Sequence, residues 1–257
     1  VKRLFNLFKR RPLQNAAIIG PRRSGKTSLL LYLRAITQIS ATQLRPGQKQ
    51  DWLNDPASYR WILVDFQDPR LGTRNGLLQY LLTRLKLPIP NAITLDSFMN
   101  VVSQTLQSPT IILLDEIDVA LKRYTELDDF FWEGLRALAT HQTGGNLAFV
   151  LTAQQAPAQL AQHHDLGSPF FNIFGYTAYL KPLLKPEATD LLTSSPMPFS
   201  EADQDWIIQH SERWPILMQI LCRERLLSLE EKEDCSAWQD EGLEQLAQFQ
   251  YLLANQD

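Results

Sequence analysis

Gly20-Pro21-Arg22-Arg23-Ser24-Gly25-Lys26-Thr27 fits the pattern G-x-x-x-x-G-K-[ST], a spacing that wraps main-chain amides around phosphate. Gly20 and Gly25 let the backbone curl so that successive N–H groups face inward as an anion nest, and a following helix adds the positive end of its dipole. In that nest Lys26 would reach β- and γ-phosphate oxygens, the hydroxyl of Thr27 would complete the coordination of Mg²⁺, and Ser28 would line the helix start. Pro21, Arg22, Arg23 and Ser24 complete the phosphate loop. Whether Arg22 and Arg23 touch phosphate or a neighbouring subunit is open at this level.

A loop of this kind needs a carboxylate partner, and Thr110-Ile111-Ile112-Leu113-Leu114-Asp115-Glu116-Ile117-Asp118 supplies one. An apolar run ending in acids reads as a fully buried parallel strand with its carboxylates at the C-terminal tip, the form of a Walker B strand. Asp115 would hold Mg²⁺ through its water shell, with Thr27 as the other metal residue, and Glu116 is placed to polarise the water that attacks the γ-phosphate. Glu116 and Lys26 are therefore the catalytic candidates. Asp118 reads as a helix N-cap or a surface acid rather than a third ligand, because Val119-Ala120-Leu121-Lys122 begins a helical pattern after it. The Asn/Thr-Lys-x-Asp tetrapeptide that would signal guanine is missing, so ATP or ADP is expected rather than GTP.

The elements that must position these residues are legible around them. Asn15 to Ile19 is a short apolar strand and Ser28 to Ile36 a helix, so the loop falls between strand and helix. Residues 41 to 59 read as an irregular insertion before a strand at Arg60 to Gln67; a strand between the two motifs marks the additional-strand class of P-loop ATPases. Helices are expected near 75 to 86 and 94 to 106, with Thr94 able to cap the second, and 126 to 140 carries Phe130, Phe131, Leu135, Leu138 and Ala139 at helical spacing. Asn146 to Gln155 is the next buried strand. At its end Thr152 or Gln154 is a candidate γ-phosphate sensor, or else a strand-end cap. A last strand is expected around 176 to 180, where dense aromatic residues signify packing or an interface. The pair His163-His164 with Asp165 has no nucleophile beside it and reads as surface loop. From Lys181-Pro182 onward the pattern is helical, near 186 to 193, 200 to 211, 215 to 230 and 236 to 254, with Glu230 to Asp234 a solvated acidic junction. The expected architecture is an α/β P-loop NTPase three-layer core with a mostly parallel sheet over residues 1–183, then a C-terminal helical lid over 184–257.

Composition narrows the rest. A chain of 257 residues, 44% hydrophobic and 21% charged, can bury one core plus a smaller appendage and is not of disordered type. A formal net charge of −3 gives no global pull towards nucleic acid or anionic membranes, so a nucleic-acid partner is not expected. Basic residues do cluster within 1–13, where Lys2, Arg3, Lys9, Arg10 and Arg11 flank Leu4, Phe5, Leu7 and Phe8. That amphipathic piece would touch a membrane or an acidic partner, or, on the plainer reading, pack its apolar side on the core near the adenine edge before Pro12 ends it. Cys222 and Cys235 have no metal-ligand or disulfide framework around them, which together with the lack of an eighteen-residue apolar run points to a reducing, cytoplasmic setting. The start at Val1 rather than Met is expected to reflect excision from a longer chain.

Taken together, GPRRSGKTSLL, IILLDEID, LAFVLTAQ and WPILMQILC resemble the STAND and archaeal-type ATPases, a branch related to AAA+ proteins, over nearly the whole chain. Pro215, at the start of a lid helix, is similar to the proline of the G-x-P segment with which STAND proteins contact adenine. The glycine of that segment is replaced by Arg213, and the arginine that many STAND proteins carry after the fourth strand is replaced by Gln154 or Gln155. Arg213 is either a sensor arginine or an ordinary exposed one. The resemblance implies a switch in which ADP holds a closed monomer, while ATP opens or oligomerises the protein so that attached or separate effector and sensor domains signal. An AAA+-like DNA-associated ATPase shares the same core, and a nucleotide-stabilised scaffold without turnover is a third reading.

Overall fold

The computed structural model describes residues 1–45, 47–163, 167–232 and 236–253. Its elements in chain order are α1 (Lys2–Phe8), β1 (Ala16–Ile19), α2 (Lys26–Ile36), β2 (Arg60–Asp65), α3 (Arg74–Leu85), α4 (Leu95–Thr105), β3 (Thr110–Asp115), α5 (Ile117–Arg123), α6 (Asp129–Ala137), β4 (Leu147–Ala153), α7 (Pro157–His163) and β5 (Tyr176–Tyr179). Helices α8 (Lys185–Thr193), α9 (Glu201–Ser211), α10 (Pro215–Glu230), α11 (Ala237–Leu246) and α12 (Gln250–Leu253) follow.

The strands form one parallel sheet in the order β2-β3-β4-β1-β5. Every residue of β3 and β4 is buried, as continuous apolar runs in the middle of a parallel sheet require, whereas the edge strands β2 and β5 are only partly buried. The strand that separates β1 from β3 in space is β4. The intervening strand in chain order, β2, lies at the rim instead. Sequence order alone names a strand between the motifs without naming its neighbours.

On one face, Ile62, Val64 and Phe66 pack with Ile112, Leu114, Phe149 and Leu151 beneath α3, α4 and α6. Trp132 of α6 sits inside this cluster at 0% exposure, edge-on to Phe131 at 5.2 Å. The amino-terminal helix α1 buries Leu4, Phe5 and Phe8. Phe5 stacks on Trp52 at 5.3 Å, and Phe8 meets Trp61 edge-on at 5.5 Å. These contacts hold Leu4, Phe5 and Phe8 in the core and leave Leu7 half-buried, while Lys2, Arg3, Lys9, Arg10 and Arg11 remain exposed.

By contacts the chain divides into Val1–Gly20 with Lys26–Tyr179, and Pro21–Gly25 with Leu180–Asp257. The change thus falls where β5 ends, a few residues before the 183/184 division expected from the sequence. In the second unit Trp214, Leu217, Met218 and Leu221 pack with Ile207, Trp238 and Leu246. The single long helix expected over 236 to 254 is broken, because Ala247–Phe249 tightens to a 3-10 turn between α11 and α12. His163 is the last residue of α7; His164, Asp165 and Cys235 lie outside the described residues. Among the described residues no helix is long and apolar enough to cross a membrane.

Candidate nucleotide site

β1 runs directly into the phosphate loop, and α2 starts at Lys26. The loop passes through two left-handed residues, Arg23 at φ 60° and Gly25 at φ 95°, and the Ser24 amide closes it on the Pro21 carbonyl at 3.3 Å. At Gly25 a Cβ would meet nothing within 4 Å, so backbone conformation rather than crowding demands glycine there. Ser24 is 4% exposed and its Oγ has no hydrogen-bond partner among the described residues, which leaves a buried donor inside the loop. Gly20 donates its amide to the Ala153 carbonyl at 3.1 Å, which ties the loop to the end of β4. Lys26 is 3% exposed, and its Nζ donates to the Gly20 carbonyl at 3.1 Å.

Two strand ends bring the carboxylate to this loop. The β3–β4 register pairs Leu114 with Leu151, so the following residues, Asp115 and Thr152, come side by side. Asp115 is 2% exposed and has both oxygens engaged: Thr27 Oγ1 donates to Oδ2 at 2.7 Å, and Thr152 Oγ1 donates to Oδ1 at 2.5 Å. The same Thr152 oxygen accepts the Glu116 amide at 2.9 Å. Glu116 stands at the N-cap position of α5 in a left-handed conformation, φ 56° and ψ 50°. A non-glycine residue there stores about 1–3 kcal/mol and persists when its surroundings fix it, here through the Thr152 bond.

Asp118 is not the N-cap that the apolar pattern suggested. The helix starts at Ile117, and Asp118 in its first turn accepts the Gln154 amide at 3.1 Å. Sequence reasoning had no signal for this cross-tie between β4 and α5. Of the two sensor candidates, Thr152 is fully buried with its hydroxyl committed to the carboxylate, while Gln154 is exposed. Ser28 is exposed on α2, and Arg22 is exposed in the loop. Within the second unit the Arg23 guanidinium lies 4.9 Å from the ring centroid of Phe249.

Pro215 is half-buried at the first position of α10, where its fixed φ suits a helix start. Arg213 adopts φ 66°, which explains why glycine is the residue that the resemblance expects there. Its amide donates to Ser211 Oγ at 3.2 Å and its carbonyl accepts from Leu183 at 2.9 Å. Among the described residues no three of His, Cys, Asp and Glu cluster as a metal site. A buried carboxylate beside a threonine hydroxyl is the donor set of a cation that takes most of its ligands from phosphate and water, so Thr27 and Asp115 fit Mg²⁺.

No family model matches the chain, and no curated protein matches it by sequence. Solved structures do. Cdc6p from Pyrobaculum aerophilum is 16% identical at a TM-score of 0.62, over 90% of this chain and 60% of that one. The Walker-type ATPase of Pyrococcus abyssi is 16% identical at 0.60, over 95% and 70%. Domain III of the replication initiation protein DnaA from Thermotoga maritima is 15% identical at 0.54, over 90% and 83%. The chain spans 60% of the length of the Cdc6p chain. At these identities the likeness establishes the fold, that of the P-loop NTPases with a C-terminal helical region.

Proposed function

We propose that the chain binds ATP with Mg²⁺, hydrolyses it slowly, and acts as a STAND-type nucleotide-dependent conformational and oligomerisation switch. The observation that carries this reading is the run of hydrogen bonds from Thr27 through the buried Asp115 and Thr152 to the Glu116 amide, which joins phosphate loop, metal carboxylate, strand end and base in one line. Loop amides, the Ser24 hydroxyl and Lys26 bind the phosphates, with Lys26 leaving the Gly20 carbonyl to do so. Thr27 and Asp115 would hold Mg²⁺, which when bound would neutralise charge on the phosphates. Glu116 orients the attacking water and takes its proton. No arginine of this chain has an assigned finger role, which fits slow turnover in isolation.

The test of the switch is mass in solution. Light scattering of the Glu116→Gln variant should give a monomer with ADP and a larger species with ATP. The same mass in both states removes the switch while leaving nucleotide binding intact.

A second reading, a DNA-associated ATPase, is favoured by one observation: Lys2, Arg3, Lys9, Arg10 and Arg11 all face outward. The expectation against nucleic acid rests on net charge, which a local basic row escapes, and a replication initiation protein is among the fold relatives. Binding of duplex DNA whose affinity falls steeply with salt, and falls further when Lys9, Arg10 and Arg11 are changed to alanine, supports this reading. No binding at low salt removes it.

A further inference from the structure

β2 is a rim strand, and its open side carries features that the nucleotide site does not use. Arg60 donates its amide to the Pro109 carbonyl at 2.8 Å, and Phe66 donates to Asp115 at 3.2 Å. Even-numbered residues of β2 therefore face β3, and alternation turns the main-chain groups of Trp61, Leu63 and Asp65 away from the sheet. Along that rim runs a cleft of about 270 Å³, lined by these residues, by Arg34 of α2 and by Tyr80 and Arg84 of α3.

Arg34, Arg70 and Arg84 line the cleft together with Asp65 and Asp68. Tyr80 donates its hydroxyl to the Leu63 carbonyl at 2.6 Å, so the acceptor in the middle of the rim is taken. Arg84 lies over the Tyr80 ring at 5.2 Å, and Arg34 and Arg84 are both exposed. The acids nearby are occupied within their own loop: Asp68 pairs with Arg70 at 2.6 Å, and Asp65 accepts the Gln67 amide at 2.9 Å. The Asp68 amide also takes the Asp65 carbonyl at 3.0 Å, so the rim offers main-chain N–H groups, the Trp61 carbonyl and the guanidinium groups of Arg34 and Arg84.

We propose that this rim receives an extended acidic segment of a partner protein, which adds alongside β2 and sets its carboxylates against Arg34 and Arg84. A second copy of β2 is the wrong occupant, because it would bring two sets of Arg34, Arg70 and Arg84 together. Tyr80 holds the Leu63 carbonyl against any added strand, so the phenol limits pairing at the rim, and the guanidinium groups of Arg34 and Arg84 are what favour an acidic occupant over an uncharged one. At about 270 Å³ the cleft is smaller than the roughly 300–1,000 Å³ usual for small-molecule sites and is shaped as a groove on a strand. Arg34, Tyr80 and Arg84 take no part in the nucleotide site, so the two proposals stand or fall separately.

Fluorescence anisotropy with three labelled synthetic peptides tests this: alternating Glu and Val, alternating Lys and Val, and alternating Glu and Pro. The Glu/Val peptide should bind wild-type protein at least about tenfold more tightly than either of the others, because Lys reverses the charge and Pro lacks the amide. Arg34→Glu with Arg84→Glu should weaken it about tenfold or more at an unchanged melting temperature, and Tyr80→Phe, which frees the Leu63 carbonyl, should tighten it about two- to fivefold. Equal binding of the Glu/Pro peptide would show charge attraction without strand addition and overturn the proposal. Preference for the Lys/Val peptide, or peptide-independent self-association in sedimentation, would overturn it too. Should the double variant unfold, the wild-type comparison of Glu/Val with Glu/Pro decides alone.

Discussion

Thr152→Val is the most informative single change, because one fully buried hydroxyl serves two partners. At 0% exposure Thr152 Oγ1 donates to Asp115 at 2.5 Å and accepts from the Glu116 amide at 2.9 Å. Valine keeps the branched shape, so the change isolates the oxygen. Losing a hydrogen bond to a carboxylate costs about 1.5–3 kcal/mol, and leaving a buried amide unpaired costs about 1–3 kcal/mol. The two share one atom and do not simply add, so a loss of roughly 2–4 kcal/mol is expected. Urea unfolding followed by tryptophan fluorescence reads this as a lower midpoint at unchanged slope, with Trp132 reporting on the same core. Thr152→Ser keeps the oxygen and should lose no more than about 1 kcal/mol. Turnover should fall about 10- to 100-fold in the valine variant, since Asp115 and Glu116 lose their common anchor, while ATP affinity changes far less. A valine variant within about 0.5 kcal/mol of wild type, or a serine variant as damaged as valine, refutes the reasoning.

Phe5→Ala should destabilise by about 3–5 kcal/mol in the same unfolding assay, because a fully buried ring stacked on Trp52 leaves a cavity. Arg213→Gly should stabilise by about 0.5–1 kcal/mol, read as a higher melting temperature, because φ 66° costs arginine what it does not cost glycine. Burial pushes the Cys222 thiol up to about 11, so near pH 8 its thiolate is roughly a thousandth of the population. Alkylation of Cys222 by iodoacetamide, mapped by peptide mass, should therefore be far slower in folded than in urea-unfolded protein, and should quicken as pH rises towards that value.

The phosphate loop and the Asp115 strand were legible because both depend on local chemistry. Glycine at positions 20 and 25, a lysine and a threonine in fixed order, and buried apolar runs on either side leave little freedom. The boundaries of α9 and α10 were readable for the same reason, since Ser200 caps α9 and Pro215 opens α10, whereas the break between α11 and α12 was not. What depends on neighbours in space was not readable. Nothing in the order of the strands says that β4 rather than β2 separates β1 from β3. The left-handed turn at Glu116 and the bond from Asp118 to the Gln154 amide arise only once β3 and β4 are in register. Thr152 was visible as a polar strand end, but its commitment to Asp115 needs the Leu114–Leu151 pairing to exist first. Likewise a row of basic residues in 1–13 is plain in the sequence, whereas the burial of Phe5 and Phe8 depends on Trp52 and Trp61, which come some fifty residues later.

The central claim is that Gly20 to Thr27 with Asp115 forms an ATP site, and calorimetric titration of the chain with Mg²⁺–ATP tests it most directly. Wild-type protein should bind one ATP and compete with ADP but not GTP, and Lys26→Ala should bind neither adenine nucleotide while keeping its fold. Failure of the wild-type chain to bind ATP or ADP, or undiminished binding by Lys26→Ala, would contradict it.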